Sequence, residues 1–174
     1  NQSKGIIRFE KTASNTIKLI IGDVAGHGIS SALVMTLCCG LIPKILKEHP
    51  SPKDCLFELN NQLVTYLNGS SFPYITLAYA EYNIDKKELN YARGGHPPSL
   101  VMKSDGTLFP LSGKGLFLGM YPNETYEEIT IPFDDTDKLI LYTDGIPESR
   151  NSQHDFWGEN AFFNTLKCHA SESC

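Results

Sequence analysis

A chain of 174 residues, 41% apolar and 20% charged, has the composition of one globular domain long enough to bury a core. Fifteen Lys and Arg against twenty Asp and Glu leave a formal net charge of −5, with no basic run, which argues against an extended nucleic-acid-binding surface. The five cysteines are odd in number, include the adjacent pair Cys38 and Cys39, and contain no C-x-x-C; they fit reduced thiols in a cytoplasmic protein better than a disulfide frame or a zinc site.

In chain order, residues 6–9 and 16–24 read as strands. The second carries Ile17, Leu19, Ile20 and Ile21, apolar toward both faces, and is expected to be central. Ser30 and Ser31 offer an N-cap to a helix with Ala32, Leu33, Leu37, Leu41 and Ile45 at helical spacing, which Pro43 kinks or divides. The apolar stretch 32–42 is too short to span a bilayer, and no membrane contact is expected. A second helix runs from about Ser51 to Leu67, with Pro52 in its first turn and a stripe of Cys55, Leu56, Leu59, Leu63, Tyr66 and Leu67.

The period then changes. Residues 74–82 and 88–92 form a hairpin, as do 99–102 and 107–109. Residues 127–131 pair with 138–142, and 159–166 are helical. Two helices among hairpin-linked strands favour an α+β architecture with antiparallel sheets. The sequons at Asn68 and Asn123 read as turns. The chain enters and leaves abruptly, as part of a longer protein would.

Two segments carry the chemistry. In Leu19-Ile20-Ile21-Gly22-Asp23-Val24-Ala25-Gly26-His27-Gly28 an aspartate closes an apolar strand and enters a glycine-rich turn. In Leu139-Ile140-Leu141-Tyr142-Thr143-Asp144-Gly145-Ile146-Pro147-Glu148 the same thing happens 121 residues later. A carboxylate at a buried strand end is costly without a cation or donor to meet it. Hard divalent ions such as Mg²⁺ and Mn²⁺ take such oxygens. Alone, Asp23 reads equally as a turn cap, and Asp144 as an Asp-Gly turn beside a solvated glutamate. Together they suggest one shared acidic site. A third segment, Ala92-Arg93-Gly94-Gly95-His96-Pro97-Pro98, holds His96, which reads as a general acid or phosphate contact or, more plainly, as a locally bonded loop histidine; His27 is open to the same readings.

These three segments, in this order and spacing over about residues 17–166, resemble the bacterial SpoIIE/RsbU-type serine/threonine phosphatases of the metal-dependent type-2C (PPM) superfamily. The resemblance implies a single phosphatase-like domain over 1–174, built as a sandwich of two antiparallel β-sheets flanked by α-helices. It implies hydrolysis of phosphoserine or phosphothreonine on a regulatory protein of the anti-anti-sigma-factor type, with two Mn²⁺ or Mg²⁺ ions. Asp23 would bridge both ions, the Val24 carbonyl would bind one, and Asp144 would hold the other. The nucleophile would be the metal-bridging water. A sensor domain often precedes such domains, and a homodimer is compatible with them. The sequence departs from the family at both ends: nothing before Ile6 matches its Gly-Gly-Asp segment, and residues 168–174 lack its terminal aspartates. A second reading therefore keeps the fold but binds a regulatory partner without turnover. A third is a two-metal phosphohydrolase acting on a small molecule.

Overall fold

The structure, a computed structural model, describes residues 4–67 and 73–169. The turn expected at Asn68-Gly69-Ser70 lies outside the described residues, whereas Asn123 sits in a turn with φ of 60°. The elements are β1 (Lys4–Lys11), β2 (Thr16–Val24), α1 (Ile29–Glu48), α2 (Pro52–Leu67), β3 (Ile75–Asn83), β4 (Glu88–Gly94), β5 (Leu100–Met102), β6 (Leu108–Pro110), β7 (Glu128–Pro132), β8 (Lys138–Ile140) and α3 (Glu159–Cys168). Among them a five-stranded antiparallel sheet, ordered β1-β2-β3-β4-β7, packs on a three-stranded antiparallel sheet, β6-β5-β8. This is the α+β sandwich the sequence implies.

Side-chain alternation along β2 explains its two apolar faces. Ile20 and Val24 join Ile75, Leu77 and Tyr79 beneath α1 and α2, where Val34, Ile42, Leu56 and Leu63 are buried. Ile21 points the other way and packs with Ala78, Tyr91, Val101 and Leu111 between the sheets. Beyond the small sheet, Phe162 of α3 packs with Leu100 and Tyr142. The layers therefore run helices, large sheet, small sheet, helix. Asp23 alternates with Ile21, so it belongs to the inter-sheet face, at its end.

Five expectations need correction. Strands β7 and β8 do not pair: β7 lies against β4, with Tyr91 opposite Ile129, and β8 lies against β5, with Val101 opposite Leu139. The segment between them crosses from sheet to sheet, held by Lys103 Nζ donating to Asp137 at 2.6 Å and to the Pro132 carbonyl at 3.0 Å. Helix α1 is not capped by a serine hydroxyl. Gly28 precedes it, and Ser31 Oγ donates backward to the Ala25 carbonyl at 3.1 Å. The buried stripe of α1 is Ser31, Val34, Cys38, Ile42, Ile45 and Leu46, so Leu33 is 58% exposed. A helix apolar on nearly every side does not reveal which side is buried. Pro43 does not divide it: α1 runs 20 residues, apolar enough by length and composition to cross a membrane, yet its stripe belongs to the core. In α2, Ser51 Oγ accepts the Asp54 N–H at 3.4 Å, but Tyr66 faces outward.

Candidate active site

Asp23 is the next-to-last residue of β2. Its register partners are Gly5 on β1 and Thr76 on β3. Beyond it the chain turns sharply through Gly26 and Gly28, with φ of 81° and 86°, a conformation that side chains with a Cβ rarely adopt. The Val24 N–H donates to Asp23 Oδ1 at 3.0 Å. The Val24 side chain is 1% exposed and belongs to the core, so only its main chain is available to a ligand.

Asp144 is exposed and lies in a turn four residues past the end of β8, not at the strand end itself. The Glu148 N–H donates to the Asp144 carbonyl at 2.9 Å and closes that turn. The Asp144 charge reaches the Asp23 carboxyl. Burial raises the Asp23 carboxyl above the usual carboxylate range, the Asp144 charge raises it further, and the Val24 N–H opposes both. A half-buried carboxyl raised by a second carboxylate's charge is a site that a cation would relieve, and the donors are hard oxygens. The residues therefore fit a divalent cation. Among the described residues no group of three or more His, Cys, Asp or Glu gathers at one point. Gly5 brings no side chain to the place opposite Asp23.

His96 lies behind the pair. It is 1% exposed, with Nδ1 3.1 Å from Thr76 Oγ1 and Nε2 3.1 Å from the Tyr142 carbonyl oxygen. Burial pushes its imidazole down to about 4, against the opposing pull of the Tyr142 carbonyl and the Asp144 charge. It is the locally bonded loop histidine, not a group facing solvent. His27 is exposed on the turn after Asp23. Thr76 is the residue sequence reasoning missed; alternation places it on the inter-sheet face of β3, but only the register sets it beside Asp23.

A cleft of about 270 Å³ adjoins Asp144, walled by Pro97, Tyr142, Pro147 and Phe156, with Glu148 and Glu159 at its edge. A larger cavity of about 760 Å³, between Arg93, Lys114 and Tyr126, includes neither aspartate. Of the two aspartates, Asp144 alone lines the smaller cleft.

Known proteins are similar to this chain along most of its length. RsbU of Bacillus subtilis (strain 168), a phosphoserine phosphatase, is 32% identical over 136 residues, covering 78% of this chain and 40% of RsbU. RsbP of the same organism, also a phosphoserine phosphatase, is 31% identical over 130 residues, covering 74% of this chain and 32% of RsbP. The chain thus spans well under half the length of either relative. The SiaA-PP2C domain of Pseudomonas aeruginosa superposes with a TM-score of 0.82 at 19% identity, over 97% of this chain and 67% of that one. The PP2C phosphatase domain of SpoIIE from Bacillus subtilis gives 0.72 at 18% identity, over 97% and 54%. These two share the fold. Residues 13–174, which include both aspartate turns and the His96 loop, match Stage II sporulation protein E (SpoIIE), and the chain belongs to that family.

Proposed function

We propose that this domain is a divalent-metal-dependent protein serine/threonine phosphatase that removes phosphate from a phosphoserine or phosphothreonine of a regulatory protein, of the anti-anti-sigma-factor type, in the cytoplasm. The observation that carries the reading is the half-buried Asp23 carboxyl at the end of β2, raised by burial and by the Asp144 charge. The kinship with RsbU and RsbP supports the same chemistry. Asp23 and Asp144 would hold the Mn²⁺ or Mg²⁺, two ions by the family pattern, with the Val24 carbonyl alongside. When bound, such ions supply a water that ionises near neutral pH.

The chain's own residues do the rest. Asp23 and Asp144 concentrate negative charge where a dication is wanted. The backbone of the Gly26 and Gly28 turn fixes the main chain next to Asp23. The Pro97, Tyr142 and Phe156 walls of the neighbouring cleft suit a peptide segment bearing the phosphoryl group. A net charge of −5 favours a protein partner over nucleic acid. The test is release of phosphate from a phosphoprotein with and without Mn²⁺. Stimulation by Mn²⁺, lost in Asp23→Asn, is the expected result; full activity in Asp23→Asn overturns the reading.

One observation favours a second reading, a module that binds a regulatory partner without turnover. Among the described residues no group of three His, Cys, Asp or Glu gathers to hold a metal, and Gly5, opposite Asp23, adds no carboxylate. Calorimetric titration of the intact protein with Mn²⁺ separates the two: absence of binding supports the module.

A further inference from the structure

We infer that His96 is a positioning residue for the acidic site, a buried brace that sets the separation of Asp23 and Asp144 and hence the affinity for a divalent cation. The inference rests on the reading of those two aspartates as cation ligands. Its geometry is independent of that reading. A carbonyl oxygen only accepts, so the Tyr142 contact at 3.1 Å requires the hydrogen on Nε2. Nδ1 is then bare and accepts from the Thr76 hydroxyl at 3.1 Å. Thr76 is the register partner of Asp23, and its Oγ1 also lies 3.4 Å from the Asp23 carbonyl oxygen. Tyr142 precedes Asp144 by two residues. One ring therefore connects the strand beside the first aspartate to the segment that delivers the second.

The loop is built to hold that ring. Arg93 Nη1 donates to the His96 carbonyl, Gly95 takes a φ of 64°, and Pro97 and Pro98 stiffen the exit. With both ring nitrogens engaged and the side chain 1% exposed, His96 has no proton to offer a substrate and no lone pair facing solvent. Groups behind metal ligands act by fixing orientation, and their loss typically weakens metal binding about ten- to a hundredfold.

The test is calorimetric Mn²⁺ titration of the intact protein carrying Thr76→Val, Thr76→Ser or His96→Leu, below the melting temperature of each. Thr76→Val removes the hydroxyl at nearly constant volume and is expected to weaken Mn²⁺ about tenfold, whereas Thr76→Ser keeps the hydroxyl and stays near wild type. His96→Leu should weaken it more, and adding Thr76→Val to it should cost nothing further, because the two groups act through one chain of contacts. Leu63→Ala, a core truncation in α2, serves as the control that lowers the melting temperature without moving Mn²⁺ affinity. If Thr76→Val binds Mn²⁺ like wild type, the brace is structural only and the inference falls. If the wild-type protein binds no Mn²⁺, the reading of the aspartates falls with it. His96→Leu protein that does not fold leaves the decision to the two Thr76 variants.

Discussion

Gly5→Asp should strengthen divalent-cation binding. Gly5 faces Asp23 directly across the β1–β2 ladder, and a Cβ built on it would meet only the Gly22 carbonyl oxygen, at 3.7 Å. Directly opposed residues in an antiparallel pair hold their Cβ atoms about 4.5–5.5 Å apart, close enough for two carboxyl groups to share one ion. Gly5 is exposed, so the water-like dielectric applies. Two unit charges at 4 Å then interact by about 1 kcal/mol, and a dication doubles this to about 2 kcal/mol. That is about a thirtyfold gain in affinity. Without metal the added charge repels Asp23 by about 0.8 kcal/mol at 5 Å, which lowers the melting temperature by about 2–3 °C. The assay is Mn²⁺ calorimetry paired with thermal unfolding, with and without Mn²⁺. A variant that melts lower without metal and binds Mn²⁺ no more tightly than wild type would refute the argument that this position adjoins a cation site.

Other perturbations have equally definite outcomes. Asp23→Asn should raise the melting temperature of the metal-free protein, because the raised carboxyl makes the charged form a liability above the unfolded-state pKa of about 4, and the amide removes that charge; an unchanged or lower melting temperature counts against the coupling to Asp144. His96 predicts a pH effect of the opposite sign. Its imidazole titrates near 4 in the folded state against 6.5 ordinarily, so the unfolded chain binds the extra proton and stability falls as pH drops from about 6.5 to about 4. The loss is about 3 kcal/mol, and urea unfolding of His96→Gln should show a flatter slope over that window. Leu63→Ala, at a fully buried position of α2, should cost about 2–5 kcal/mol in chemical denaturation.

Much of this molecule is legible from local pattern. The bounds of β2 follow from its apolar run and the turn glycines, and α2 follows from Ser51, Pro52 and a spaced leucine stripe. The acidic pair is legible for a different reason. A carboxylate ending an apolar run demands a cation or a donor, and two such runs in one chain point to one shared cation site. What escapes is whatever depends on distant pairing. The alternation in β7 and β8 fits any apolar partner, so nothing local says that they part company. Thr76 and Gly5 acquire meaning only from the register that places them on either side of Asp23. The orientation of α1 is hidden because Ile29 and Leu33, both apolar, face solvent while Ser31 is buried.

The parting of β7 and β8 bears on how the protein comes undone. Residues 133–137 act as a stitch between two fabrics: prising the layers apart must tear β7 from Tyr91 or β8 from Val101. Opening at this seam disturbs β4 and β5 together, so their amide exchange should share one opening event. The acidic pair, gathered from the rims of both layers, is then intact only while the seam holds.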